Sequence, residues 1–311
     1  MGKKISIVFA SSADFTLPVL KAFINDERYV VYLVLTNPPR PVGRKQIITK
    51  TIIHNFAEEH GIKVATFSSK KALTGFVVNE NWRPDFLVVM AYGMIVEESV
   101  LNWPNYVPIN GHLSILPAYR GASPVQAALL NNDPITGNTY IKMDKGMDTG
   151  PIFAISKLPI ERDDTTDSLL SKLGQIAALD FPDLLPKIMT GEVIPEEQIG
   201  LASNCSKIKK ESGEINFKEL TAQEIVNKYR AYYPWPGIFF FDDDGVRQII
   251  RELEMQIKTF PLDFSEIILE NETCYFKCKS DYVGFKKIQT AGKSVLSAKD
   301  WFNGNKANKT K

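Results

Sequence analysis

Residues 5–10 read ISIVFA, a run of six residues in which only one side chain is polar. Two similar runs follow, VVYLVL at residues 30–35 and FLVVMA at residues 86–91. Strands covered by helices on both faces are nearly continuous apolar runs, whereas strands with one solvated face alternate between apolar and polar residues. The three runs therefore predict a Rossmann-like α/β fold with a mostly parallel sheet.

The segments that join these runs have helical patterns. Between the second and third runs, apolar residues recur at helical spacing at Ile47, Ile48, Ile52, Ile53, Phe56 and Ala57. Gly61 then stands where a C-terminal capping glycine is expected. Two more strands are predicted near residues 107–112 and 139–143, and a helix after them is predicted to break or kink at Pro182 and Pro186.

The periodic patterns change near residue 190, and we predict an α/β domain over residues 1–190. Residues 191–205 read GEVIPEEQIGLASNC and are predicted to form a linker, because turn and polar residues dominate. Further on, Thr221 and Glu224 form a capping box at the start of a helix. Alternating segments around an Asp-Asp-Asp-Gly turn follow. Residues 206–311 are therefore predicted to form a smaller β-barrel domain, similar to an oligonucleotide/oligosaccharide-binding (OB) fold.

The composition excludes several classes of protein. With 44% hydrophobic and 23% charged residues among 311, the chain can bury a full core, which excludes disorder as its dominant state. No apolar stretch approaches the roughly 20 residues that span a bilayer, and we expect a cytoplasmic protein with no membrane partner. The cysteines are too few for a disulfide framework and lack CxxC pairs, so we expect no metal site. Nothing in the sequence demands more than a monomer.

Charge is distributed unevenly along the chain. Residues 1–204 contain 19 basic and 21 acidic side chains, whereas residues 205–311 contain 18 and 15. Residues 273–311 alone contain nine basic and two acidic side chains. A basic C-terminal part predicts an anionic macromolecular partner such as a nucleic acid, and a solvated lysine-rich surface is the alternative interpretation.

The densest group of unusual residues is INGHLSILPAYRGASPVQ at residues 109–126. Asn110 and His112 are two residues apart, so on a strand both side chains point to the same face. At the carboxyl edge of a parallel sheet they would face the crevice in which such sheets bind ligands. A histidine on an apolar strand can also be a simple core residue, but the polar and turn residues close behind it favour a site, namely Pro117, Arg120 and Gly121.

A second irregular segment reads MDKGMDTGP at residues 143–151 and contains Asp144 and Asp148. Loops of this kind hold functional groups on a rigid scaffold, although aspartate is also an ordinary turn former. An asparagine, a histidine and an aspartate together can polarise a carbonyl group, move a proton and orient an imidazole. The sequence therefore predicts acid–base chemistry without a covalent nucleophile.

These motifs resemble the formyltransferases that use 10-formyltetrahydrofolate. The similarity lies in Asn110-Gly111-His112, Ser114-Ile115-Leu116-Pro117, Arg120-Gly121 and Asp148-Thr149-Gly150. It continues to about Trp301 through FASSADF, TNPPRPVGR, VVMAYGMI, KIKKESGEINF and YPWP, in this order. The resemblance implies transfer of a formyl group from 10-formyltetrahydrofolate to the amino group of initiator methionyl-tRNA. It also implies that the catalytic residues are Asn110, His112 and Asp148.

The resemblance further implies binding residues for both substrates. The folate would be bound by two segments, Tyr92-Gly93-Met94-Ile95 and Ser114-Ile115-Leu116-Pro117. Gly93 lets the backbone pass close to a flat ring, although the same stretch could be a simple strand end with a glycine turn. The tRNA acceptor stem would be bound by Arg40 and Arg44, in a basic insertion that could otherwise be a solvated loop.

Two other functions remain open at this point. A formyltransferase that acts on a nucleotide-linked amino sugar would use the same three catalytic residues, and a folate- or RNA-binding protein without turnover belongs to a different class. The chain also departs from the family pattern at three places. Gly111 stands where valine or isoleucine is usual, Ile115 stands where leucine is usual, and Ser11-Ser12 replaces part of a glycine-containing turn. None of these departures removes a chemical group from the predicted site.

Overall fold

The computed structural model describes residues 3–43, 45–261 and 265–309, and the chain divides into two compact units. Unit 1 comprises Met1–Pro124, Ile135–Pro159 and Leu170–Cys205, and unit 2 comprises Val125–Pro134, Ile160–Leu169 and Ser206–Lys311. The two units therefore interleave along the chain. The domain limits drawn from the sequence, which follow chain order alone, stay a prediction.

Eleven strands lie in unit 1: β1 (Ile5–Ala10), β2 (Tyr29–Thr36), β3 (Arg40–Val42), β4 (Ile47–Thr49), β5 (Lys63–Thr66), β6 (Phe86–Val89), β7 (Val107–His112), β8 (Arg120–Gly121), β9 (Ile135–Lys142), β10 (Ile152–Pro159) and β11 (Asn204–Cys205), counted over the described residues. The helices of the first 190 residues are α1 (Leu17–Asn25), α2 (Ile52–Glu59), α3 (Lys70–Asn79), α4 (Glu98–Leu101), α5 (Pro124–Leu130) and α6 (Thr166–Thr190). Most of α5 and the first turn of α6 belong to unit 2.

Seven of these strands form one sheet in the order β10-β9-β7-β6-β1-β2-β5. The strands from β7 to β5 pair in parallel, and β9 and β10 add antiparallel pairs at one edge. Alternate residues of β1 enter different cores: Ile7 and Phe9 pack in one buried cluster, and Val8 and Ala10 pack in another. Both faces of the central strand are therefore buried, which confirms the prediction from its continuous apolar run.

The helix predicted from the isoleucine spacing is shorter than expected. Ile47 and Ile48 do not belong to it but lie on β4, which pairs with β3 in an exposed hairpin. The helix α2 begins at Ile52, after Thr51, whose side-chain oxygen accepts a hydrogen bond from the His54 amide at 3.0 Å. The helical spacing of Ile47 and Ile48 is therefore coincidental, because both residues lie in a hairpin. The N-cap residue Thr51 marks the start of the helix.

The sequence predicts that Pro182 and Pro186 break or kink α6. The prediction of a break is wrong, because the helix continues through both prolines to Thr190. Pro186 has no N–H, so the carbonyl oxygen of residue 182 has no donor within the helix. The Tyr29 hydroxyl, from β2, donates a hydrogen bond of 2.5 Å to that buried oxygen. A side chain from the sheet thereby supplies the donor that the helix lacks.

Unit 2 is built on an antiparallel sheet. Its α-helices and strands after residue 206, among the described residues, are α7 (Ala222–Tyr232), β12 (Ile238–Phe241), β13 (Arg247–Lys258), β14 (Ile267–Glu270), β15 (Thr273–Lys277), β16 (Tyr282–Thr290), β17 (Val295–Ser297) and α8 (Ala298–Lys309). The strand order is β12-β13-β16-β15-β14, with β17 paired to β16. The capping box predicted at the start of α7 is confirmed, since Thr221 and Glu224 bond each other reciprocally.

The predicted fold class is confirmed: a mostly parallel α/β sheet comes first, and a smaller antiparallel sheet follows in a separate unit. Among the described residues, no helix is both long enough and apolar enough to cross a membrane.

The contact between Tyr29 and α6 predicts a stability effect. Replacing Tyr29 by Phe removes the donor and leaves a buried carbonyl oxygen unpaired, which costs about 1–3 kcal/mol of the free energy of unfolding. The matched control is Tyr32→Phe on the same strand, because that ring is 56% exposed. Urea denaturation monitored by circular dichroism should show the loss for the first variant only. Equal midpoints for the two variants would contradict the role of this hydrogen bond.

Candidate active site

The site is built around one carboxylate at the end of strand β7. Asn110 Nδ2 donates to Asp148 Oδ1 at 3.4 Å, and His112 Nδ1 lies 3.5 Å from Asp148 Oδ2. The intervening residue, Gly111, faces the opposite side of the strand, where the Phe181 ring would lie 3.1 Å from an added Cβ. The strand therefore presents its core side to Phe181 and its two polar side chains to the carboxylate.

The position of Phe181 also accounts for the unusual residue Gly111. A valine or isoleucine there would press against the ring, which is fully buried and packs edge-on against Tyr140. An aromatic ring from α6 thus occupies the space that a branched side chain on β7 would need. Although Gly111 departs from the family pattern, the strand remains packed at this position, because the Phe181 ring lies directly over the glycine.

His112 is buried, with 5% of its surface exposed, and both of its ring nitrogens face hydrogen-bond acceptors. Nε2 lies 2.9 Å from the carbonyl oxygen of Tyr119, which can only accept, so this nitrogen carries a proton. In the neutral ring, Nδ1 is then the basic nitrogen, and it faces Asp148. Burial lowers the pKa of His112 from its usual value, although the Asp148 charge and the Tyr119 carbonyl both act to raise it.

The backbone around Asp148 holds the carboxylate in place. Asp148 has a φ of 57°, in the left-handed region that side-chain-bearing residues seldom occupy. Its Oδ2 atom accepts a hydrogen bond of 2.9 Å from the Gly121 amide. Earlier in the same loop, the Asp144 carboxylate accepts hydrogen bonds from Gly146 N at 3.0 Å and from Thr149 Oγ1 at 2.8 Å. Asp144 therefore shapes the loop, and Asp148 alone of the two faces the histidine.

Sequence reasoning missed one residue that contacts this loop, Gln198. Its Nε2 atom donates to the carbonyl oxygens of Asp148 and Gly150, both at 2.8 Å. Its Oε1 atom accepts from Arg120 Nε at 3.1 Å and from Nη2 at 2.7 Å. Gln198 lies in the segment predicted as a linker, where a single glutamine among turn residues gives no periodic or motif signal.

The segment predicted as a linker belongs to unit 1 and pairs with other parts of that unit through its main chain. Ile152 and Glu196 exchange two backbone hydrogen bonds of 2.7 and 2.9 Å, and β11 pairs with β8 in parallel. Ser203 Oγ accepts a hydrogen bond of 2.9 Å from Tyr119 N, next to the carbonyl that holds His112. We call residues 196–205 the bridging segment, since it joins the loops that carry Tyr119 and Asp148.

The first predicted folate segment leaves the sheet beside Asn110 and His112. Strand β6 pairs with β7 in parallel, with Val89 opposite Asn110, so the residues after β6 emerge at the same edge. Gly93 has a φ of 79°, and Gly93 and Ile95 are exposed while Met94 is half-buried. The Tyr92 hydroxyl is buried with no partner among the described residues, and burial raises its pKa to about 12.

The second predicted folate segment is engaged largely with its own surroundings. The Ser114 hydroxyl is buried and donates to Ala118 O at 2.6 Å. Leu116 is also buried, and the peptide bond between Leu116 and Pro117 is cis. Ile115 and Pro117 are half-buried and therefore offer more surface to a ligand. The assignment of both segments to folate binding stays a prediction.

Of the two predicted tRNA-binding arginines, the structure describes Arg40, which lies on a different element from Asn110, His112 and Asp148. Arg40 begins β3 and is exposed, in the hairpin whose isoleucines are also exposed. Arg44 lies outside the described residues. Among the described residues there is also no group of three or more histidine, cysteine, aspartate or glutamate side chains that could hold a metal ion.

A buried imidazole beside a carboxylate and an amide, at the carboxyl edge of a mostly parallel sheet, is suited to proton transfer in an α/β enzyme. The chain belongs to the formyl transferase family: residues 3–183 match the formyl transferase domain, and residues 207–306 match the formyl transferase C-terminal domain.

Relatives of nearly the same length support this membership. Proteins named methionyl-tRNA formyltransferase are 36% identical in Campylobacter lari, over 96% of each chain, and 33% identical in Sulfurimonas denitrificans, over 98% of each chain. Among solved structures, an N-formyltransferase from Helicobacter canadensis in complex with folinic acid and dTDP-3-aminofucose superposes with a TM-score of 0.68. It is 20% identical and covers 92% of this chain and 99% of its own, which shows a shared fold.

The environment of His112 predicts how its protonation responds to Asp148. Removing the carboxylate charge by Asp148→Asn should lower the pKa of His112 further, because that charge favours the imidazolium form. The matched control is Asp144→Asn, in the same loop but bonded to Thr149 rather than to the histidine. NMR titration of the three histidines measures both effects. A rise in the His112 pKa on Asp148→Asn, or equal shifts in the two variants, would contradict this account.

Proposed function

We propose that this chain is an enzyme that transfers the formyl group of 10-formyltetrahydrofolate to the amino group of initiator methionyl-tRNA. The observation that carries the proposal is the joint contact of Asn110 and His112 with one carboxylate, Asp148. The chain also matches relatives named methionyl-tRNA formyltransferase over nearly all of its length. The proposal includes a cytoplasmic enzyme that acts as a monomer.

The reaction forms a bond between the amino nitrogen and the formyl carbon and breaks the bond between that carbon and N10 of the folate. The attacking amine must be the free base, and because an α-amino group has a pKa of about 7.7–8.0, a large fraction is free near neutral pH. After attack, the amine nitrogen must lose a proton and N10 must gain one. The enzyme therefore needs a group that takes up and returns a single proton.

His112 is suited to that proton transfer. Because burial lowers its pKa, the ring is neutral near pH 7 and can accept a proton at Nδ1. The imidazolium that forms has its new N–H beside Asp148 Oδ2, whose negative charge stabilises it. The same proton then passes to N10 as the leaving group departs, so His112 acts first as base and then as acid.

Asn110 is suited to stabilise the oxygen of the tetrahedral intermediate. Its amide carries two donor hydrogens, and the structure uses one of them in the contact with Asp148. The second can be donated to the negative charge that develops on the formyl oxygen. Loss of one such donor typically costs about 3 kcal/mol in the transition state.

The distribution of charged residues along the sequence indicates which parts of the chain would bind the tRNA. Residues 205–311 have more basic than acidic side chains, and the exposed hairpin of β3 and β4 presents Arg40. Contacts to phosphates are electrostatic and weaken as salt rises. The folate would lie along the exposed backbone of Gly93–Ile95, at the same sheet edge as Asn110.

The test of the proposed function is a formylation assay with purified full-length protein, 10-formyltetrahydrofolate and two alternative acceptors, methionyl-tRNA and a nucleotide-linked amino sugar. We expect formylmethionyl-tRNA only when the folate is present and no formylated sugar. Formylation of the sugar alone would overturn the proposal and favour the amino-sugar enzyme. Folate or tRNA binding without turnover on either acceptor would identify a binding protein.

The hairpin arginine predicts a tRNA-specific effect. Replacing Arg40 by Gln should raise the KM for methionyl-tRNA severalfold, because one phosphate contact is lost, while the KM for the folate stays unchanged. The matched control is Lys157→Gln, an exposed basic residue on the edge strand β10. Steady-state kinetics with each substrate varied in turn measures both constants. A parallel loss of folate affinity would contradict the assignment of Arg40 to RNA binding.

A further inference from the structure

We infer that Gln198, held by Arg120, is a positioning residue that sets the place of the Asp148 carboxylate relative to His112. The inference rests on the proposed function, since it assigns Gln198 a part in the same proton transfer. Gln198 lies in the bridging segment and touches neither His112 nor Asn110 through any contact described above. Its effect must therefore pass through the loop that carries Asp148.

The hydrogen bonds of Gln198 fix its own orientation. A glutamine amide has two donor hydrogens and one oxygen with two acceptor sites. Both donors go to carbonyl oxygens, of Asp148 and Gly150, and both acceptor sites receive Arg120 nitrogens. Because Arg120 can only donate and carbonyl oxygens can only accept, the amide cannot be reversed. Every polar atom of the side chain is thus used in one arrangement.

The two carbonyls that Gln198 binds lie on either side of Thr149. Holding both fixes the main chain from residue 148 to residue 150, including the left-handed backbone of Asp148. A residue with a side chain in that region is strained by about 1–3 kcal/mol and keeps its conformation only when its surroundings hold it. Gln198 supplies two of those restraints, and the Gly121 amide supplies a third at the carboxylate itself.

Apolar packing does not account for the place of Gln198. The large apolar residues that follow it are almost fully exposed, with Ile199 at 89% and Leu201 at 98%. The bridging segment is held instead by polar contacts, through Glu196, Gln198 and Ser203. A residue that served only to fill the core would not have such exposed neighbours. The contribution of Gln198 therefore lies in the hydrogen bonds of its side-chain amide.

Arg120 is the second member of the arrangement. Its side chain donates twice to Gln198, and its main chain donates to Ser203 O at 2.8 Å. The next residue along, Gly121, donates to Asp148 Oδ2. The loop after β7 and the bridging segment therefore approach Asp148 from two sides, and Arg120 connects them. Substitution of Arg120 should act only through Gln198.

The test compares Gln198→Met, which removes all four hydrogen bonds, with Gln198→Glu, which keeps the acceptor for Arg120 but has no donor for the two carbonyls. Both should lower kcat for methionyl-tRNA by roughly tenfold or more, because small displacements of reacting groups are costly, with each KM changed less than about twofold. The matched control is Glu197→Gln, an exposed neighbour in the same segment, which should keep its kcat.

Double variants separate positioning from a general structural role. In an Asp148→Asn background, Gln198→Met should cause little further loss, and Gln198→Met with Arg120→Met should be no slower than Gln198→Met alone. In NMR titrations without substrate, Gln198→Met should move the His112 pKa downward, towards its value in Asp148→Asn. A tenfold loss that persists in the Asp148→Asn background, or an unchanged kcat and unchanged His112 pKa, overturns the inference.

The same measurements distinguish this inference from the proposed function. A wild-type enzyme that fails to formylate methionyl-tRNA contradicts the proposed function. In that case the His112 titration, which needs no substrate, still decides whether Gln198 positions Asp148.

Discussion

The Asp148 carboxylate is the group on which the arrangement of the site depends. One of its oxygens faces Asn110, and the other faces His112 and accepts the Gly121 amide. A carboxylate in this place must satisfy two side chains from one strand and a main-chain donor from another. It does so with a left-handed backbone at its own residue. The loop, the bridging segment and the end of β7 are all arranged around that requirement.

The two faces of strand β7 contact different parts of unit 1. Ile109 and the backbone of Gly111 face the buried cluster that contains Phe181, whereas Asn110 and His112 face Asp148. Because side chains alternate along a strand, a shift of one residue in register would place both polar groups in the core. The parallel pairing of β7 with β6 therefore fixes the places of Asn110 and His112 together with that of the core residue Ile109.

Local sequence patterns predicted several parts of the fold and of the site. The continuous apolar run of β1 indicated a doubly covered strand, the spacing of Asn110 and His112 indicated one face, and Thr221 with Glu224 indicated a helix start. Each of these depends on residues close together in sequence. Gln198 could not be found in this way, because its partners are Arg120 and the main chain of residues 148–150, far away along the chain. The helix through Pro186 escaped prediction for the same reason, since its missing donor is Tyr29.

The most direct test of the central claim is the single-turnover rate of formyl transfer to methionyl-tRNA in Asn110→Ala, His112→Ala and Asp148→Ala, with the thermal midpoint of each protein measured alongside. If the three groups stabilise the transition state, each rate falls by about 100-fold or more while the midpoint stays close to that of the wild type. Variants that are strongly destabilised yet transfer the formyl group at the normal rate would contradict the account, because the three residues would then serve the fold alone.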